Sequence, residues 1–150
     1  MWNIKNLLVV SSLALLASCG GKKSMSKAAH DGAAEVAFAH AVQDKVFFAF
    51  DRSCLSSDAK ATLDKQAEWI KDHAAQKDIE VEGHCDIRGS GVYNMALGAK
   101  KAESAQEYLV SKGIDAKHVS TISYGKNKPA VLGNDEAAHA ANRRAVTVVK

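Results

Sequence analysis

The apolar residues between positions 56 and 113 recur with the spacing of two α-helices. In the first helix they stand four, three and four positions apart, at Leu63, Ala67, Ile70 and Ala74. In the second helix the inward-facing residues are Leu97, Ala102, Ala105 and Leu109. Ser56 or Ser57 is suited to cap the first helix, and Gly113 suits the left-handed conformation that follows the end of the second. The spacing therefore predicts helices over about 56–75 and 93–113.

Four short runs rich in β-branched and aromatic residues alternate with or follow these helices. They occupy positions 45–50, 78–83, 119–124 and 144–149 and are predicted to be strands. The order of elements is β-α-β-α-β-β, so we expect the first three strands to be parallel through right-handed crossovers. A short capped helix is expected over 134–141, between the last two strands. The pattern therefore predicts an α+β domain.

The first nineteen residues have the pattern of a bacterial export signal. Lys5 precedes an apolar run over 7–16, and ten residues are too few to span a bilayer. The following Leu16-Ala17-Ser18-Cys19 resembles a lipobox, which implies cleavage before Cys19 and diacylglycerol on its thiol. Several acyl chains hold a protein firmly on a membrane. Lipoproteins retained in the inner membrane tend to have Asp after the cysteine, so the resemblance to lipoproteins, with Gly20 there, implies the outer membrane. The alternative is an ordinary export signal followed by a chance cysteine.

The segment 19–43 reads as the lipidated N-terminus and a flexible tether. It holds three lysines and, from Ala28 to Ala41, seven alanines, with few large apolar residues. A short helix without a packed face is only marginally stable, so we expect transient helicity at most. The folded domain is then expected at 44–150, in the periplasm.

Composition and charge narrow the classes of function. The chain has 150 residues, 47% hydrophobic and 25% charged, which suits one globular domain. A net charge of +3 is too small for a dedicated nucleic-acid binder. His84, Cys85 and Asp86 are adjacent, and neighbours on an extended strand point to opposite faces, so they cannot converge as a catalytic or metal-binding set. We therefore expect no enzyme activity, no metal and no cofactor.

The three cysteines allow one internal disulfide at most. Lipidation consumes Cys19, which leaves Cys54 and Cys85 in an oxidising compartment. Either the two form a bridge, which requires loop excursions to bring them within reach, or Cys85 is a small buried side chain. The sequence leaves both alternatives open.

Five motifs in order resemble the OmpA-like, peptidoglycan-associated domain family over about 45–150. The central motif is Val81-Glu82-Gly83-His84-Cys85-Asp86-Ile87-Arg88-Gly89, with Tyr93-Asn94, Ala96-Leu97-Gly98 and Ala102-Glu103 after it. The others are Phe48-Ala49-Phe50-Asp51, Ser123-Tyr124-Gly125 followed by Pro129, and Asn142-Arg143-Arg144. The resemblance implies a β-α-β-α-β-β sandwich with a mixed four-stranded sheet of order 1-4-2-3 and the helices on one face. Its ligand would be the diaminopimelate stem peptide of peptidoglycan, and its protein partner TolB.

The resemblance also implies a set of ligand-binding residues. They are Phe50, Asp51, Asp86, Asn94, Leu97 and Lys101. The family's acid at the position of Asp86 pairs with the ammonium group of the stem, and its base at the position of Lys101 pairs with a carboxylate. Arg is usual at Lys101, and Lys lacks the planar fork that holds a carboxylate by two bonds. The family also often has Asp at the position of Ala49.

Two functions of different classes are compatible with this sequence. One is a non-enzymatic link between the outer membrane and the cell wall, and the alternative is a surface-exposed lipoprotein adhesin built on the same domain. An acid and a base close together suit a zwitterionic ligand, which favours the first. Tyr93 and Trp69 are expected to be packing residues, and 142–144 an internal hydrogen-bonding clamp.

Overall fold

The computed structural model describes residues 27–150 of the chain, and its side chains from Gly32 onwards. The predicted signal peptide at 1–18 and the lipidation site Cys19 lie outside the described residues. The helices are α1 (Lys27–Ala41), α2 (Ser57–His73), α3 (Gly91–Ser111) and α4 (Glu136–Asn142). The strands are β1 (Lys45–Phe47), β2 (Ile79–His84), β3 (Val119–Gly125) and β4 (Arg144–Val149).

The four strands form one mixed sheet of order β1-β4-β2-β3, which confirms the order implied by the resemblance. β2 and β3 are parallel neighbours, and β4 is antiparallel to both β1 and β2. The first three strands therefore run in one direction, as predicted. This direction brings the ends of β1, β2 and β3 to the same edge of the sheet as the start of β4.

The predicted first strand is too long, because the chain leaves the sheet before Phe50. β1 ends at Phe47, although the amide of Phe48 still donates to the carbonyl of Arg143. The next residues form a turn in which the Arg52 amide donates to the Ala49 carbonyl at 3.3 Å. Asp51 has a φ of 55°, which a strand does not allow. Phe50 and Asp51 thus lie in a turn at the end of the sheet.

The predicted stripe of α2 is confirmed, with all four of its residues buried. The Ser56 hydroxyl caps this helix by accepting from the Ala59 amide at 3.1 Å. The stripe packs with α3 on one face of the sheet in a single core. Its sheet side comprises Val46, Ile79, Val81, Val119, Ala145 and Val149. Alternate strand residues supply this layer, as the period of two requires.

Part of the predicted tether is a docked helix and not a flexible linker. Phe38 of α1 is fully buried, and its ring meets Trp69 of α2 edge-on at 5.2 Å between centroids. Ala34 and Val42 stand four residues before and after Phe38 and pack against the same core. This spacing gives α1 one packed face, which provides the tertiary support that an isolated helix lacks. No helix among the described residues is long and apolar enough to cross a membrane.

The disulfide considered from the sequence is not formed, since Cys54 and Cys85 are both free. Cys54 is exposed in the loop before α2, where it lines a surface depression with Ser104 and Tyr108. Cys85 is buried beneath α3, where its thiol donates to the Asn94 carbonyl at 3.4 Å. Burial raises the pKa of the Cys85 thiol, so it stays protonated at neutral pH. Of the two alternatives left open by the sequence, Cys85 is therefore the small buried side chain.

Candidate ligand-binding site

A pocket of about 210 Å³ opens at the edge of the sheet where β2 ends. Its wall is built from the turn after β1, the loop between β2 and α3, the first turns of α3 and the residue directly before β4. All six residues implied by the family resemblance line it: Phe50, Asp51, Asp86, Asn94, Leu97 and Lys101. The fold therefore brings together side chains that are up to 51 residues apart in the sequence.

Asp86 is the acidic group of the pocket, and it is 4% exposed. Its carboxylate accepts hydrogen bonds from the guanidinium of Arg88 at 2.6 and 3.3 Å and from the Arg88 amide at 3.1 Å. Arg143 lies 3.5 Å away on the other side. Burial raises the pKa of Asp86, but the bonds from Arg88 and Arg143 outweigh burial and lower it. The carboxylate is therefore ionised at neutral pH.

Lys101 is a basic group of the same pocket, and its side chain is fully buried. Its ammonium group donates to the His84 carbonyl at 3.1 Å and to the Cys85 sulfur at 3.6 Å. Burial lowers the pKa of Lys101, and no carboxylate of the described residues forms an ion pair with it. Lys100 is exposed, because it lies about 100° around the helix from Lys101.

The packing of α3 against β2 places Lys101 at the pocket. A Cβ atom added to Gly83 would lie 1.8 Å from the Gly98 carbonyl oxygen, so strand and helix touch through their backbones. Gly98 is three residues before Lys101, so this contact sets the height of the next turn of α3 above the end of β2. A buried lysine can then reach the His84 carbonyl.

The rim of the pocket carries two aromatic side chains. The guanidinium of Arg88 lies 4.1 Å above the ring of Phe50. The Tyr93 hydroxyl donates to the Asp51 carboxylate, and this bond raises the pKa of Tyr93. Tyr93 is 52% exposed, so it is not the packing residue that the sequence predicts. Trp69 does pack, between Phe38 and His73.

Arg143 is a pocket residue that the sequence prediction assigned only to the internal clamp. The clamp itself is confirmed: the Asn142 side chain binds the backbone of Ala130 and Val131, and Arg144 donates to the Lys128 carbonyl. Arg143 donates to the Phe48 carbonyl at 3.0 Å, pairs with Glu136 at 2.9 Å and reaches Asp86. The strand order 1-4-2-3 could have predicted that Arg143 lies near Asp86, because the start of antiparallel β4 lies beside the end of β2.

The charges of the pocket suit a ligand that carries both signs. Two carboxylates, of Asp51 and Asp86, face three cationic groups, of Arg88, Lys101 and Arg143. Within residues 27–150, no group of three or more His, Cys, Asp or Glu side chains could hold a metal ion. The polar groups therefore offer hydrogen bonds and charge pairs to an ammonium group and to carboxylates.

Fold, pocket and motifs define an OmpA-like domain, and the chain belongs to the OmpA family, whose family model matches residues 47–143. A relative from Haemophilus influenzae named peptidoglycan-associated lipoprotein is 42% identical over 149 residues, 95% of each chain. One of the same name from Rhizobium meliloti is 41% identical over 152 residues, 95% of this chain and 85% of its own. The crystal structure of the peptidoglycan-associated lipoprotein from Burkholderia pseudomallei is 38% identical, with a TM-score of 0.68 over 72% of this chain and 91% of that one.

Proposed function

We propose that the protein is an outer-membrane lipoprotein that binds the diaminopimelate stem peptide of peptidoglycan and so tethers the outer membrane to the cell wall. The observation that carries this proposal is one pocket with an ionised acid, Asp86, and a buried base, Lys101. The side chain of diaminopimelate ends in a carbon that bears both an ammonium group and a carboxylate. The names of the relatives, peptidoglycan-associated lipoproteins, support the same class of ligand.

We assign Lys101 to bind the carboxylate at the zwitterionic end of the diaminopimelate side chain. An ammonium group has three N–H donors. Among the described residues, the His84 carbonyl and the Cys85 sulfur accept hydrogen bonds from the Lys101 ammonium, and the ring of Phe48 lies 5.7 Å from it. None of these three groups carries a negative charge, so a ligand carboxylate would compensate the buried positive charge.

We assign Asp86 to bind the ammonium group of diaminopimelate. This ammonium group must compete with Arg88 for the oxygens of the Asp86 carboxylate. The Arg88 side chain is 37% exposed, whereas that of Arg143 is 9% exposed and is also held by the Phe48 carbonyl and by Glu136. We therefore expect Arg88 to move aside on binding while Arg143 stays in place. Arg88, once released, can bind a second carboxylate of the stem peptide.

The Tol-Pal system is the proposed cellular setting, with roles in envelope integrity and in constriction of the outer membrane at division. Cleavage of 1–18 and acylation of Cys19 would supply the anchor, with the domain in the periplasm. TolB is the proposed protein partner, on a surface that overlaps the pocket. Exposed apolar side chains beside the pocket, among them Ile87 and Val92, suit contact with a protein.

Binding to purified sacculi tests this proposal. The protein without its first 26 residues is mixed with sacculi and sedimented, and soluble stem peptides compete. A peptide with diaminopimelate should release the protein at about tenfold lower concentration than the same peptide with lysine, which lacks the second carboxylate. No sedimentation, or equal competition by the two peptides, would contradict the proposed ligand.

A further inference from the structure

The loop that carries Asp86 and Arg88 is held from outside the pocket by a residue that follows another strand. Lys126 directly follows β3, and its ammonium group donates to the Gly89 carbonyl at 2.7 Å and to the Ile87 carbonyl at 3.4 Å. Lys126 does not line the ligand pocket; it lines a small cavity on the other side of the same loop, with Ile87 and Pro129.

The backbone of this loop has three consecutive carbonyl groups, each of which accepts a hydrogen bond from a side chain. Lys126 binds those of Ile87 and Gly89, and Asn94 binds that of Arg88 at 2.7 Å. The Asp86 carboxylate accepts a hydrogen bond from the Arg88 amide. Gly89 has a φ of 86°, in the left-handed region that favours glycine. Lys126 therefore supplies two of the three carbonyl contacts that hold the loop in one conformation.

The end of β3 is itself well placed to act as an anchor. The Cys85 amide donates to the Gly125 carbonyl at 2.8 Å, so the loop and β3 part from each other directly before Asp86. Gly125 has a φ of 53°, and a Cβ atom there would lie 3.1 Å from the amide nitrogen of Met95. This close packing on α3 gives Lys126 a rigid base.

We propose that Lys126 is a positioning residue for the ligand: its ammonium group bridges the carbonyls of Ile87 and Gly89 and so holds Asp86 and Arg88 at the pocket. The inference rests on the proposed function and extends it to a residue that touches no ligand. A carboxylate must be held within about 0.5 Å of its productive position to bind well, so loss of the bridge weakens binding without removing any pocket group.

Lys128 provides a matched control for this role. It stands two residues further along the same segment and carries the same charge, but its ammonium group lies 3.7 Å above the ring of Tyr124. Substitution of either lysine by methionine keeps most of the side-chain volume and removes one positive charge. A difference between the two variants therefore reports the bridge and not the net charge.

The test measures the affinity of the soluble domain for the diaminopimelate stem peptide by calorimetry. We expect Lys126→Met to raise the Kd by about tenfold, Lys128→Met to leave it within about twofold, and Lys126→Arg to restore most of the loss. Equal effects of the two methionine variants, or no effect of Lys126→Met, would overturn the inference.

Amide hydrogen exchange provides a second readout that needs no ligand. In Lys126→Met the amide of Arg88, which donates to the Asp86 carboxylate, should exchange faster, while the amides of β2 and α2 keep their rates. Unchanged exchange of the Arg88 amide would overturn the inference even if affinity fell. Failure of the wild-type protein to bind the peptide would instead contradict the proposed function, and the exchange data would still test the bridge.

Discussion

Gly83 of β2 and Gly98 of α3 touch through their backbones. A Cβ atom on Gly83 would lie 1.8 Å from the carbonyl oxygen of Gly98, and a Cβ atom on Gly98 would lie 2.3 Å from the Ser123 hydroxyl. Neither Gly83 nor Gly98 is among the glycines with a positive φ. They are required because of close approach, and that approach brings Lys101 over the end of β2.

Gly83→Ala should therefore displace α3 and damage both stability and binding. We expect a loss of about 3 kcal/mol or more in the free energy of unfolding, since backbone atoms cannot yield as a flexible side chain does. The measurement is urea denaturation. Gly91→Ala is the control, because no atom lies within 4 Å of a Cβ there, and it should leave stability unchanged or slightly improved. Equal stability of the two variants would contradict the contact.

Asp86→Ala and Lys101→Ala should each weaken sedimentation with sacculi by about tenfold or more, because charge-assisted hydrogen bonds contribute roughly 1.5–3 kcal/mol. Lys100→Ala removes the same charge one position earlier, on the exposed side of α3, and should bind normally. Lys101→Arg should bind at least as well as the wild type, since a guanidinium can hold a carboxylate by two bonds. Equal losses for Lys100→Ala and Lys101→Ala would show that the assigned site is wrong.

The pH dependence of binding should reveal the burial of Lys101. Burial lowers its pKa below the ordinary lysine value of 10.5, so the ammonium group loses its proton at a lower pH than an exposed lysine does. Affinity for the stem peptide should fall as the pH rises through this lowered pKa. Lys101→Arg should keep its affinity over the same range, because a guanidinium stays charged. An alkaline decline of the same shape in both proteins would exclude Lys101 as its source.

The free energy of unfolding should also depend on the protonation of Lys101, but it should change with pH in the direction opposite to that of ligand binding. The folded-state pKa of Lys101 lies below the unfolded-state value, so between the two the unfolded chain binds more protons. The contribution of Lys101 to the free energy of unfolding therefore rises with pH across this interval, while ligand binding falls. Urea denaturation of the wild type and Lys101→Met over the alkaline range separates this contribution from those of other groups.

Phe38→Ala should undock α1. Truncation of a fully buried phenylalanine costs about 3–5 kcal/mol, which exceeds what Ala34 and Val42 can offset. We expect α1 to become sensitive to protease while the rest of the domain stays folded and binds sacculi. Val36→Ala in the same helix removes an exposed side chain and should keep α1 protected. Protection of α1 in both variants would show that Phe38 does not hold the helix.

The N-terminal prediction concerns residues that the structure does not describe. Expressed with its export signal, the full chain should yield a mature protein that begins at Cys19 and carries acyl chains. Cys19→Ser should lack them, because serine offers no thiol for diacylglycerol. The measurement is the intact mass of the mature protein from the membrane fraction. A mass that corresponds to cleavage at another position, without acyl chains, would refute the lipid anchor.

Local sequence patterns were enough to predict those helices and strands whose position follows from their own hydrophobic periodicity or capping residues. The stripe of α2 and its Ser56 cap are examples, and β4 has the predicted bounds of 144–149. The family motifs led to six of the residues that line the pocket, since each motif occupies a fixed place in a known fold. These features depend on neighbours in the sequence or on a shared fold.

Tertiary structure alone decided the features that depend on contacts between distant residues. Helix α1 exists because Phe38 meets Trp69, and β1 stops at Phe47 because the chain turns at 49–52. Tyr93 lies at the pocket because Asp51, 42 residues away, accepts its hydroxyl. Arg143 reaches Asp86 only once β4 lies between β1 and β2. Local periodicity carries no information on such partners, because the free energy of each contact belongs to a pair that the folded chain brings together.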